Sequence, residues 1–168
     1  MHVREIVKKF SNVLAPPQYF YMKNVLTIAF FIGFTLHLQG QNNPQDAILG
    51  KWMNTAKDLE VQVYKQSGQY RAKVIWFACT EGLKMSDFYD SKNPNRALRS
   101  RPWLGLEVLG ALNYNGGTEW NNGKIYDPNT GYTFSSVCRL ENWNKLKVRG
   151  YWMFEWIGKS LIFNRISE

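Results

Sequence analysis

The sequence predicts an all-β domain of about eight antiparallel strands, following one another as a meander and closing into an up-and-down barrel. Three observations carry this. Between Ile48 and Ile166, apolar and polar residues alternate in runs of strand length, the period-2 pattern of a sheet with one buried face. Turns built from Gly, Asn and Pro separate those runs at hairpin distance. No long run of helical periodicity interrupts them. A meander has edges to hide, and closing it hides them, so a barrel is expected over a sandwich. A length of 168 residues and 45% apolar content suit one domain with a sizeable core.

Taken in order, Ile48-Leu49-Gly50-Lys51-Trp52 is a short apolar opening that ends on a tryptophan. Leu59 to Tyr64 alternates, with Leu59, Val61 and Val63 on one face. Gln66-Ser67-Gly68-Gln69 turns the chain into Tyr70 to Trp76. There Arg71 and Lys73 face water, so Ala72, Val74 and Trp76 face inward. Cys79 to Leu98 breaks the rhythm: Asp87, Asp90, Asn93, Pro94 and Asn95 mark an irregular connection, with one helical turn near Asn95 to Leu98. Loops of about 20 residues are uncommon in compact domains and often functional. Trp103 to Asn113 returns to strand, with Leu104, Leu106, Val108 and Leu112 on a shared face.

Asn115-Gly116-Gly117 is a hairpin turn leading to Trp120 to Tyr126. The turn that fixes the register is Asp127-Pro128-Asn129-Thr130-Gly131. Pro128 pre-sets φ near −65°, the Asp127 side chain accepts a neighbouring N–H, and Gly131 takes a positive φ. Tyr132 to Leu140 follows, then a turn at Asn142-Trp143-Asn144. Lys145 to Arg149 points its cations outward and Leu146 and Val148 inward, and Lys159 to Ile166 is the last strand.

The N-terminal part reads differently. Residues 22–40 have the form of a signal peptide: Met22-Lys23-Asn24, an apolar run from Val25 to Phe34, and small Gly40. The run is shorter than the roughly 20 residues a bilayer span needs, so no stable membrane insertion is expected after cleavage. No cysteine follows it that would carry a lipid. Residues 1–21 are read as an over-extended N-terminus ahead of a true start at Met22, and residues 47–167 as a single barrel domain. The expected location is periplasmic or secreted. Both histidines, His2 and His37, lie before the domain, which sets aside His-based triads, His general bases and His-ligated metals. No cofactor and no metal are expected. The formal charge of +8 falls to about +5 without Arg4, Glu5, Lys8, Lys9 and Lys23. No cluster of Lys and Arg is interleaved with aromatics, so nucleic acid is not an expected partner.

Candidate site residues each have two readings. Arg99 and Arg101 flank Ser100; they clamp the carboxylate or phosphate of a ligand, or they pair with Asp87, Asp90 or Asp127 and fix the long loop. Trp76, Trp103, Tyr114, Trp120, Tyr126 and Trp152 line a pocket, or they fill a small barrel outright. Cys79 and Cys138 would share an oxidising compartment, yet alternation puts Cys138 inward and Cys79 outward, which argues against a disulfide. Glu119 and Asp127 are the carboxylates nearest the central turn; Asp127 is explained by the turn itself, and no enzyme activity is expected.

Leu49-Gly50-Lys51-Trp52, Val74-Ile75-Trp76, Asn93-Pro94, Leu98-Arg99-Ser100-Arg101-Pro102-Trp103-Leu104-Gly105-Leu106, Trp120 with Gly123-Lys124-Ile125-Tyr126-Asp127-Pro128, and Leu146-Lys147-Val148-Arg149-Gly150-Tyr151 occur in this order. Together they resemble the domain of unknown function 2147 family. The resemblance implies an exported bacterial protein with a lipocalin-like β-barrel and no assigned catalytic activity. Trp103 departs from the plain apolar run usual there, and cysteines that many relatives carry near Arg71 and Tyr151 are missing. Trp52 resembles the Gly-x-Trp feature of lipocalin barrels, whose indole closes one end under a late-strand arginine, here Arg165. The expected function is binding of a small amphipathic or apolar ligand by Arg99, Arg101, Trp103, Tyr114, Trp120 and Tyr126. The alternatives are a structural or interaction protein of the cell envelope with a filled barrel, and a hydrolase using Glu119 and Asp127.

Overall fold

Eight antiparallel strands close on themselves in strict chain order. The structure, a computed structural model, describes residues 43–166; the leader expected over residues 1–40 lies outside the described residues. The strands are β1 (Gly50–Asn54), β2 (Leu59–Gln66), β3 (Gln69–Phe77), β4 (Glu107–Tyr114), β5 (Glu119–Asp127), β6 (Tyr132–Asn142), β7 (Lys145–Tyr151) and β8 (Gly158–Ile166). β8 pairs back onto β1, with Trp52 opposite Arg165, so neither carries a free edge. Helical structure among the described residues is limited to short 3₁₀ turns at Pro44–Ile48, Met85–Asp87 and Arg96–Leu98. The last of these is the turn the sequence placed in the long loop, capped by Asn95.

Up-and-down topology sends alternate connections to opposite ends. One end has the tight turns: Ser67-Gly68, residues 115–118 and residues 143–144. Ser67 and Gly68 both have positive φ (51° and 78°), the left-handed pair that matches strand twist in a two-residue hairpin. This end is packed solid. Trp52, Trp120, Tyr70, Ile48 and Leu112 are fully buried there, and Tyr70 meets Trp120 edge to face at 6.2 Å. The Pro44–Ile48 turn closes it: the indole N–H groups of Trp52 and Trp120 donate to the Ile48 carbonyl (2.9 Å) and the Gln45 carbonyl (3.0 Å). Hydrogen bonds from Lys65 (2.8 Å) and Tyr70 (2.6 Å) tie Asp46 to the β2–β3 hairpin and hold its carboxyl below the usual value. Arg165 takes the position expected of it. Its guanidinium lies 4.2 Å from the Trp52 ring and 4.5 Å from the Trp143 ring, and donates to the carbonyls of Leu49, Ala47 and Trp143.

Bulges interrupt simple alternation in several strands, and at two of them the inward face differs from the one expected. The β2–β3 register shifts between Glu60 and Val61, so Phe77 opposite Leu59, and not Trp76, is the buried residue at the end of β3. The strand expected from Trp103 begins at Glu107, and residues 103–105 are turn and bend. Within β4, Ala111 adopts φ 58° and the register against β3 shifts. The inward residues are therefore Leu109 and Leu112, three apart, while Leu104 is exposed. Cys79 and Cys138 are both free. Cys79 follows the end of β3, whereas Cys138 pairs with Trp120 at the far end of the barrel. Burial among apolar groups pushes the Cys138 thiol up to about 12.

Candidate functional site

The other half of the barrel is hollow. Where the closed end has Trp and Tyr at inward positions, this half has Val61, Val63, Ala72, Val74, Val148 and Gly150, side chains too small to meet across the lumen. The result is a cavity of about 730 Å³, with Phe77, Trp103, Ile125, Phe134 and Phe163 completing its apolar wall. Lys159, Leu161 and Phe163 share one face of β8 by alternation. Phe163 is buried, but Leu161 is 39% exposed although it lines the cavity, so the lumen opens to solvent there. Around the mouth stand Asp58, Asp127, Asn129 and Lys159.

The long connection from Ala78 to Leu106 folds over this end. Its apolar anchor is a triangle of rings: Phe77 to Phe88 at 5.2 Å, Phe77 to Trp103 at 5.6 Å and Phe88 to Trp103 at 5.3 Å. Its polar anchor is Asp90, whose side chain is completely buried. The Asp90 carboxylate accepts from the Tyr126 hydroxyl on β5, from Arg101 Nη2 (2.8 Å) and from Asn93 Nδ2 (2.7 Å). Burial alone would raise the Asp90 carboxyl, but these donors outweigh it and hold it below the ordinary value. Burial and the bond to Asp90 push the Tyr126 phenol up to about 12. A second anchor is steric: a Cβ on Gly131, which has φ 78°, would run into the Lys92 carbonyl oxygen. The β5–β6 turn itself forms as its residues dictate, with Asn129 N–H donating to Asp127 Oδ1 and Gly131 N–H to the Asp127 carbonyl.

Of the six residues put forward as a ligand set, Trp103 and Tyr126 line the cavity. Tyr114 and Trp120 are at the closed end, their rings 5.5 Å apart, and belong to the plug. Arg101 is paired with Asp90, and Arg99 Nε donates to the Asn93 carbonyl (2.8 Å). In place of a ligand clamp, both arginines hold the loop: Arg99 takes a helical conformation (φ −69°, ψ −18°), and each guanidinium bonds a loop residue. Glu119 and Asp127 are the two ends of β5, roughly 25 Å apart at 3.3 Å per residue. Two carboxyls of a glycosidase stand about 5 to 9.5 Å apart. Glu119 instead pairs with Arg139 at 2.9 Å.

Sequence reasoning named Asp90 among the acids for Arg99 and Arg101 to pair with, but missed its complete burial and its bonds to Asn93 and Tyr126. The signal available was Asn93-Pro94 next to Arg99 and Arg101, but nothing local ties Asp90 to Tyr126, 36 positions on. It also missed the β7–β8 connection, Trp152-Met153-Phe154-Glu155-Trp156-Ile157, whose apolar character was visible where a polar turn is the rule.

A closed eight-stranded antiparallel barrel, plugged at one end and hollow at the other, is the architecture of a lipocalin-like protein. The chain belongs to the DUF2147 family, uncharacterized proteins conserved in bacteria, whose family model matches residues 50–165. Among solved structures it is similar to protein HP1028 from the human pathogen Helicobacter pylori, described as belonging to the lipocalin family. The TM-score is 0.63 at 24% sequence identity, covering 72% of this chain and 84% of that one, a likeness of fold. No curated protein matches the sequence.

Proposed function

We propose that this protein binds one small apolar or amphipathic molecule in the open half of its barrel, and that it does so after export to the periplasm or beyond. The observation that carries the first part is the cavity: about 730 Å³, walled almost wholly by apolar side chains and open to solvent at Leu161. Ligand sites are of this size and character, with a few polar groups to orient what they hold. Here those groups are the Asp58, Asp127, Asn129 and Lys159 rim and the Trp103 indole N–H, which is buried with no hydrogen-bond partner among the described residues. Export rests on the sequence of residues 22–40 alone. The filled-barrel alternative has less support: Tyr114 and Trp120 pack into the closed end, whereas Trp103, Tyr126 and Trp152 line the open half without filling it. A hydrolase using Glu119 and Asp127 has none in the geometry, since one strand separates them by its whole length.

The test is a cavity-filling substitution. Ala72 lines the lumen and is 1% exposed, so Ala72→Trp places an indole in the empty space. The parent should bind N-phenyl-1-naphthylamine with a rise in fluorescence, and Ala72→Trp should lose that binding while keeping the barrel's circular dichroism. A parent that binds no apolar probe, or a filled variant that binds it equally, refutes the reading.

A further inference from the structure

A connection between two strands normally carries polar turn-forming residues. The one between β7 and β8 carries Trp152-Met153-Phe154-Glu155-Trp156-Ile157. Its five apolar side chains stand in water: Trp152 is 58% exposed, Met153 76%, Phe154 52%, Trp156 76% and Ile157 48%. We infer that this loop is a membrane-docking element, which inserts its aromatic tips into the interfacial layer of a lipid bilayer with the cavity mouth facing that surface.

The apolar display is built, not incidental. Tyr151 pairs with Gly158 at the base of the loop, and Ile157 N–H donates to the Phe154 carbonyl (3.0 Å). Arg149 reaches up from β7 and donates to the carbonyls of Glu155 (2.6 Å) and Trp156 (3.2 Å). Phe154 and Trp156 stack with centroids 5.9 Å apart and planes within 15°. Glu155, the single charge in the loop, is turned back onto Arg139 at 2.6 Å. The tip therefore presents no unpaired charge to whatever covers it.

Size and shape choose the partner. At roughly 200 Å² for each large side chain, the five expose on the order of 600 Å². That is at the upper end of what soluble monomers leave bare, yet below the roughly 800 Å² per partner of a stable protein–protein interface. A bilayer needs no matching surface, and Trp in particular favours the water–hydrocarbon boundary. Position agrees: Trp152 and Ile157 also line the cavity, and Trp152 meets Phe134 of the cavity wall at 6.0 Å. An apolar chain leaving a bilayer at this loop would enter the lumen without crossing water. The loop's exposure does not depend on what the cavity holds.

The experiment uses the full chain with phosphatidylcholine vesicles whose acyl chains are brominated, since bromine quenches a tryptophan that enters the bilayer. None of the seven tryptophans precedes Trp52, so any contact made by residues 1–40 is silent. Vesicles should quench the parent, and Trp152→Phe with Trp156→Phe should remove most of that quenching at an unchanged unfolding midpoint. Trp143→Phe, at the closed end, should leave it intact. Absent quenching of the parent, or quenching indifferent to residues 152 and 156, overturns the proposal. So does a concentration-dependent dimer, seen by light scattering, that Trp156→Ser abolishes while vesicles quench nothing: the loop would then be covered by a second copy.

Discussion

Replacing Asp90 by Ala removes the one fully buried carboxylate among the described residues and unties the long loop from the barrel. The carboxylate accepts three side-chain hydrogen bonds, from Tyr126, Arg101 and Asn93. Bonds to a charged group contribute about 1.5–3 kcal/mol each, but the sum is not additive here. Arg101 is 43% exposed and regains water, and Asn93 Nδ2 stays 3.2 Å from the Tyr126 hydroxyl. The expected loss is about 3 kcal/mol for Asp90→Ala and about 2 kcal/mol for Asp90→Asn, which keeps the volume but not the charge. Hydrogen exchange should show residues 79–103 opening more readily, beyond any change in the strands. The pH dependence gives a second reading. Because the folded carboxyl lies below its ordinary value of 3.8, its contribution is present above about pH 4 and is lost as pH falls through the folded value. The parent should therefore lose loop protection at low pH, and Asp90→Asn should flatten that limb. A variant within about 0.5 kcal/mol of the parent, with unchanged exchange at residues 79–103, would refute the latch.

Trp52→Ala should lower stability by about 3–5 kcal/mol in urea unfolding, since it opens a hole in the plug and deprives Arg165 of one of its two rings. Gly131→Ala should destabilise by at least about 1 kcal/mol more than Thr130→Ala, from positive φ together with the collision at the Lys92 carbonyl; equal midpoints would contradict the contact. Tyr126, raised to about 12, contributes stability that is complete below the ordinary tyrosine value of 10.0 and lost as pH rises toward 12. Alkaline titration followed at 295 nm should show a late tyrosine that is absent in Tyr126→Phe.

The strand count and the hairpins were legible because their causes are local. Alternation at Leu59-Val61-Val63 and Leu146-Val148 marks an inward face, and Asp127 to Gly131 is a turn by the chemistry of its own side chains. Trp52 and Arg165 were paired through a resemblance and not through spacing, as 113 positions separate them. Alternation failed at the Glu60/Val61 and Ala111 bulges, where one extra residue exchanges the two faces of a strand and no sequence rule fixes the point of insertion.

The sequence by itself determined that this chain forms an antiparallel barrel, because period and turn chemistry act over a few residues. Only the tertiary structure decided which aromatic rings plug the barrel and which line it. A ring's role depends on its height along a strand as well as on its face, and height follows from register between strands. The same holds for Arg101: the sequence left it as a ligand clamp or a loop fastener with several acids on offer, and folding delivered the buried Asp90, so it fastens the loop. The cavity is an absence of atoms. Small residues on separate strands produce it only when closure sets them across the same lumen from one another.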